Sequence, residues 1–223
     1  MGFKMKNRLL NALYYKKVDR PPIWFMRQAG RYLFEYRFLR QKAGNFLNLC
    51  YSSDFIALAT LQPIKRYDLD AAIIFSDILL LPLFMGLKLN FLEHSGPIFL
   101  NPVRNMRDIN ELKDVYPYED LKFVLHAIKM VVDELENDIP LIGFSGSPWT
   151  LSVYMIEGKI TKNFIYIKKM LYLNPCLLHF LLKKLEKNII SYLCAQIDFG
   201  VKILMIFDTW GGILRDVEYE KFS

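Results

Sequence analysis

Four short apolar runs govern what this chain can become: residues 23–26, 71–75, 141–144 and 202–207, the last opening on a lysine. Their hydrophobicity is continuous rather than alternating, which is what a strand covered on both faces of a parallel sheet requires. Between them lie helical patterns over residues 34–43, 52–67, 118–136 and 175–199. Pro148 and Pro175 suit first-turn positions, with Ser147 and Asn174 as their caps. Strand and helix alternating at this rhythm predict an α/β fold with right-handed crossovers.

Every one of these runs empties into polar residues: Arg27 after the first, Ser76-Asp77 after the second, Ser145-Gly146-Ser147 after the third, Asp208-Thr209 after the fourth. In a (β/α)8 barrel the ligand site is assembled from such carboxyl-end loops, whereas a doubly wound sheet decorates only its switch point. The pattern leans towards the barrel, with about the first four of eight strands present. Residues 87–91 and 97–100, split by His94-Ser95-Gly96, read as a hairpin insertion. Residues 1–223 are expected to form a single domain, with 1–20 an N-terminal amphipathic helical segment. The last residues, 215–222, look helical, so a C-terminally truncated product is expected.

The first strand end carries two arginines four residues apart, in Arg27-Gln28-Ala29-Gly30-Arg31. If the chain turned helical there, the two forks would share a face, with β-carbons about 5 to 6 Å apart. Each planar guanidinium can then grip one acid group bidentately. The plainer alternative is a solvated helix start whose arginines pair with Glu35 or merely stay in water. Asp77, in an otherwise apolar segment, either caps a helix or meets a cation or the N–H donors of a ligand. The strand–turn–helix around Ser145-Gly146-Ser147-Pro148 offers an anion seat from its amides and helix dipole, without the glycine pattern of nucleotide sites. Tyr154, one turn on, is either a packed core phenol or a group reaching back to an acid. Asp208-Thr209 before Trp210-Gly211-Gly212 supplies a carboxylate and a hydroxyl, or a plain turn.

With 53% hydrophobic and 15% aromatic residues the chain can bury a sizeable core. Its net charge of +6 is scattered, with no basic arm for nucleic acid, and favours an acidic partner. No apolar run reaches the roughly 18 residues of a membrane span. Cys50, Cys176 and Cys194 show no disulfide or zinc spacing, and His94, His126 and His179 no ligand spacing, so a reducing, cytoplasmic setting without a metal is expected.

Four motifs resemble those of the uroporphyrinogen decarboxylases. They are Trp24-Phe25-Met26-Arg27-Gln28-Ala29-Gly30-Arg31-Tyr32-Leu33; Ala72-Ile73-Ile74-Phe75-Ser76-Asp77-Ile78-Leu79; Gly143-Phe144-Ser145-Gly146-Ser147-Pro148-Trp149-Thr150-Leu151 with Tyr154-Met155-Ile156-Glu157-Gly158; and Phe207-Asp208-Thr209-Trp210-Gly211-Gly212. The resemblance implies a homodimeric (β/α)8 barrel that needs no cofactor. It removes the four acetate carboxyl groups of uroporphyrinogen III, giving coproporphyrinogen III. By the same resemblance Arg27 and Arg31, with Gln28, Ala29 and Gly30 between them, bind substrate carboxylates, and Arg27 is a candidate proton donor. Asp77 accepts the pyrrole N–H groups and stabilises the cationic intermediate, while Tyr154 and Thr209 hydrogen-bond acid groups. Phe34 stands where the family usually has proline, and Lys159-Ile160 where it tends to small residues. A family histidine near the last strand has no counterpart up to Ser223. The rival readings are a non-functional truncated remnant and a corrinoid-linked methyltransferase of the same barrel type.

Overall fold

The computed structural model describes residues 6–92, 96–135 and 138–223. In chain order the elements are α1 (Arg8–Leu13), α2 (Phe34–Ala43), α3 (Phe46–Tyr51), α4 (Ser53–Arg66), β1 (Ala72–Ile73), α5 (Leu80–Phe84), β2 (Leu89–Leu92), β3 (Gly96–Phe99), α6 (Met106–Glu111), α7 (Pro117–Asp120), α8 (Lys122–Glu134), β4 (Leu141–Gly146), α9 (Pro148–Glu157), α10 (Ile165–Leu173), α11 (Pro175–Asp198), β5 (Ile203–Phe207) and α12 (Asp216–Phe222), with a 3-10 turn at Gly211–Ile213. The expected helical segment 1–20 is thus confined to α1 where it is described, residues 1–5 lying outside. His94 and Ser95 of the hairpin turn, and Glu136 at the end of the expected 118–136 helix, also fall outside the described residues.

The chain packs as two compact units, each discontinuous in sequence. The first comprises Met1–Ser76, Leu121–Gly143 and Cys194–Met205, the second Asp77–Asp120, Phe144–Leu193 and Ile206–Ser223. The three-stranded sheet has the order β1-β4-β5. β1 and β4 are parallel, with Ala72 opposite Leu141 and Ile73 opposite Ile142. Lys202 N donates to Leu141 O at 3.1 Å and Ser147 N to Phe207 O at 2.8 Å, so β5 runs in the same direction as β4. The architecture is α/β with a parallel sheet.

In the first unit, α4 packs on α8. Ser52 caps α4 by accepting from Phe55 N. Its Asp54 in the first turn and its Lys65 and Arg66 in the last complement the helix dipole. On α8, Val124, Leu125, Ala127, Ile128 and Val131 are buried, the stripe a 3.6-residue period predicts. A second cluster gathers Leu33, Tyr36, Leu39, Ala43, Leu49 and Ala59 under Phe55 and Phe75. The second unit is built on α9, whose cap Ser147 accepts from Thr150 N and whose first residue is Pro148. α10 packs against it, and the β2–β3 hairpin pairs Leu89 with Phe99. Among the described residues, no helix is long and apolar enough to cross a membrane.

Three sequence expectations are revised. Residues 23–25 join no ladder and Met26 already belongs to a turn, leaving three parallel strands among the described residues where four were expected. Pro21 and Pro22 have no N–H to offer, and the Ile23 N–H goes to the Asp70 carboxylate instead. β1 closes at Ile73 rather than residue 75, because Ile74 N makes the last bond to Ile142 O and Phe75 N turns to the Thr60 hydroxyl at 2.9 Å. β5 is not covered on both faces: Leu204 is 37% and Ile206 55% exposed.

Candidate functional site

In the first unit, Arg27 and Arg31 do not lie on a helix. Residues 26–33 form successive turns, with Gln28 N bonded to Phe25 O at 3.1 Å and Leu33 N to Gly30 O at 3.0 Å, and α2 starts only at Phe34. Both guanidinium groups are exposed, and among the described residues neither makes an ion pair or hydrogen bond. Their neighbours are all engaged. Arg20 pairs with Asp70 at 2.6 Å, Arg66 with Glu35 at 2.6 Å, and Arg37 donates to the carbonyls of Arg31 and Tyr32. Glu35 belongs to Arg66 and does not neutralise the pair, whereas the other form of the plain alternative, two arginines that stay in water, agrees with their exposure. The Arg66 bond also holds the Glu35 carboxyl below its ordinary range, after the larger contribution of its own backbone N–H.

Phe25, Arg27, Tyr32 and Tyr67 line an open pocket of about 410 Å³. The other residues of the motif differ in what they offer. Gln28 is 2% exposed, and its amide bonds inward, donating to Ala71 O and accepting from Phe25 N. Both ends of its amide are thus engaged within the protein. Ala29 and Gly30 are half-buried. A Cβ at Gly30 would meet the Tyr32 ring and Arg27 O only at 3.6–3.7 Å, so nothing inside the protein demands glycine there.

In the second unit, Asp77 is half-buried, and its Oδ1 accepts from Leu79 N at 2.8 Å in a tight local turn. It does not cap α5, whose N-terminal residue Leu79 makes no side-chain cap bond. The Asp77–Ile78 segment lies against the end of β4. A Cβ at Gly146 would come within 3.3 Å of the Ile78 Cβ and 2.8 Å of Leu151, so this close approach needs glycine. The anion seat expected beyond it is largely occupied by the protein itself: Ser147 N bonds to Phe207 O, and Thr150 N to Ser147 Oγ.

Thr209 stands exposed at the end of β5, beside a carboxylate that brackets the loop. Asp208 Oδ1 accepts from Ser147 Oγ at 2.5 Å and Thr150 Oγ1 at 2.8 Å, and Thr150 Oγ1 accepts from Trp210 N at 3.1 Å. Trp149 Nε1 closes the bracket on Trp210 O at 2.8 Å. Tyr154 packs edge-on against the Trp210 ring, 5.8 Å between centroids. Asp77, Tyr154 and Thr209 all belong to the second unit, Asp77 next to the Ile78 that approaches Gly146, and Tyr154 against the Trp210 that follows Thr209. The bracketing role of Asp208 was not apparent in the sequence, although its place after an apolar strand was. No group of three His, Cys, Asp or Glu residues suited to a metal ion occurs among the described residues.

A parallel α/β sheet with polar residues at its strand ends defines the class of chain, and that fold has a solved counterpart. A methyltransferase from Methanosarcina mazei is similar with a TM-score of 0.72, at 20% identity, over 97% of this chain and 63% of that one. The family model for uroporphyrinogen decarboxylase matches residues 4–223. The chain is 52% identical to the uroporphyrinogen decarboxylase of Wigglesworthia glossinidia brevipalpis, across 100% of this chain and 62% of that protein. It is also 53% identical to that of Ruthia magnifica subsp. Calyptogena magnifica, across 96% of this chain and 62% of that protein. This chain belongs to the uroporphyrinogen decarboxylase family. It spans about 62% of the length of the curated relatives it matches.

Proposed function

We propose that the protein is a uroporphyrinogen decarboxylase, removing the four acetate carboxyl groups of uroporphyrinogen III as carbon dioxide to give coproporphyrinogen III. The observation that carries this reading is the pair of exposed guanidinium groups, Arg27 and Arg31, left without a protein partner in a segment where every neighbouring arginine has one. A ligand bearing eight carboxylates answers that charge. Arg27 and Arg31 grip acid groups, with Arg27 a candidate proton donor, and Ala29, Gly30 and the Gln28 backbone line the same loop. Tyr154 and Thr209 hydrogen-bond further carboxylates.

Protonation of a pyrrole carbon turns the ring into an electron sink, so each carboxyl leaves without any added cofactor. Asp77 stabilises the cation formed at that step and accepts pyrrole N–H bonds. A fixed anion aimed at charge that develops only in the transition state lowers the barrier without tightening substrate binding. In this reading the three parallel strands and the 23–26 segment belong to a (β/α)8 barrel, and the protein works as a cytoplasmic homodimer on a small molecule. The likeness to a methyltransferase is one of fold alone and does not favour that chemistry.

The test is the sequential loss of carboxyl groups from uroporphyrinogen III, followed by chromatography of the oxidised products. Arg27→Ala and Arg31→Ala should each weaken porphyrinogen binding roughly 10- to 100-fold, the loss of a charge-assisted hydrogen bond of about 1.5–3 kcal/mol. Asp77→Asn should cut kcat by about 100-fold or more while binding changes far less. Equal losses in both, or unaltered binding by the arginine variants, would remove these residues from the site.

A further inference from the structure

We propose that Gln28, anchored beside Asp70, is a positioning residue: it fixes where the Arg27 and Arg31 guanidinium groups stand and does not touch the ligand with its side chain. The inference rests on the reading of those arginines as carboxylate grips. Both are long, exposed side chains without a protein partner, so only the loop beneath them determines where they emerge. That loop is fastened at two places to consecutive residues, 70 and 71, which lead directly into β1.

At the first place the bonds run both ways. Ile23 N donates to Asp70 Oδ2 at 2.8 Å, and Asp70 N donates to Ile23 O at 2.8 Å. The Asp70 side chain is 2% exposed, and a buried anion is costly unless paired. Here Arg8 and Arg20 both donate to it, and Arg8 is held in turn by Asp19 at 2.6 and 2.9 Å. At the second place Gln28 bridges the loop to the sheet. Its Nε2 donates to Ala71 O at 3.2 Å, and its Oε1 accepts from Phe25 N at 3.2 Å. The Tyr32 hydroxyl donates to Gln28 O, which ties the Arg31 side of the loop to the same residue. Gln28 thus sits between the two cations, facing inward while they face outward. With its amide oxygen and one N–H committed to the loop and only 2% of the residue exposed, Gln28 is turned away from the face the arginines occupy. Its value is placement, since a misplacement of about 1 Å at a site can cost 100-fold.

A double-mutant cycle in the full protein tests this, with a stable octacarboxylate porphyrin as probe and its fluorescence as the binding signal. Gln28→Met keeps the volume and removes both hydrogen bonds. It should raise Kd roughly 10- to 100-fold in the native background, but less than about threefold when Arg27 and Arg31 are already alanine, because there is then no cation to misplace. A loss that merely loosened the fold would persist in both backgrounds. Gln28→Glu, which keeps the acceptor for Phe25 N, should recover part of the affinity, and it carries the same cycle if the methionine variant does not fold. If Arg27→Ala and Arg31→Ala bind the porphyrin like the native protein, the carboxylate-grip reading itself is lost. If they bind poorly while the Gln28 variants bind normally, or lose equally in both backgrounds, only the positioning role is overturned.

Discussion

Replacing Asp208 tests how the second unit holds its site loop. Its Oδ1 receives two hydroxyl donors, Ser147 at 2.5 Å and Thr150 at 2.8 Å, and its Oδ2 receives the exposed Ser223 hydroxyl at 2.7 Å. A hydrogen bond to an ionised acceptor contributes about 1.5–3 kcal/mol, so the two inner bonds together set an upper range of about 3–6 kcal/mol. Two facts reduce it. Asp208 is only half-buried, and both hydroxyls retain a second partner, Ser147 Oγ from Thr150 N and Thr150 Oγ1 from Trp210 N. Asp208→Ala should therefore destabilise by about 2–4 kcal/mol. Asp208→Asn keeps an acceptor oxygen but loses the charge, which roughly doubles such bonds, and should cost about half as much. Urea unfolding followed by tryptophan fluorescence reads both, through Cm at constant m. Because Trp149 and Trp210 are themselves part of the bracket, their emission should shift in the alanine variant before the main transition. A change below about 0.5 kcal/mol for the alanine variant, or equal losses for both, would refute the bracket.

Gly211→Ala attacks the same bracket from outside: its Cβ would lie 2.5 Å from Asp208 Oδ2 and 2.9 Å from Tyr219 Cε2, so it should cost about 1–3 kcal/mol by overpacking, checked by the same unfolding curves. Acid should weaken the fold through two carboxyls. Asp19 is held down to about 2 chiefly by the Arg8 hydrogen bond, and Glu218 to about 2 chiefly by Arg215. Both sit below the ordinary carboxylate range, so their stabilisation is complete above about pH 5 and disappears as pH falls through about 4 towards 2. Unfolding midpoints measured down that range should flatten in Asp19→Asn, and an unchanged slope would show that the pair plays no part.

The elements that the sequence predicts best are those whose signals are local. The expected helix 34–43 is α2 itself, and Ser147-Pro148 and Asn174-Pro175 mark the starts of α9 and α11 because caps and first-turn prolines act through bonds to the next few residues. Phe34 opens α2 at a position that needs no N–H bond, and its side chain stays 68% exposed. Strand limits proved harder, and for a common reason. Residues 23–26 and Phe75 have the composition of strands, but the amides of Ile23, Phe25 and Phe75 are claimed by the side chains of Asp70, Gln28 and Thr60. The site follows the same division. That polar residues follow the apolar runs could be read from where those runs stop, but that Arg66 holds Glu35 could not. What could not be read is which of two adjacent polar residues faces outward. Arg27 and Gln28 differ by one position, as do Asp208 and Thr209, and in each pair one side chain anchors the loop while its neighbour is left exposed. A turn has no fixed period to assign faces, so the assignment is made by the anchor's partners, Ala71 and Phe25 for Gln28, Ser147 and Thr150 for Asp208. Where a turn emerges is therefore decided by the side chain that points inward, and which residue that is depends on partners far along the chain for Gln28 and Asp208 alike.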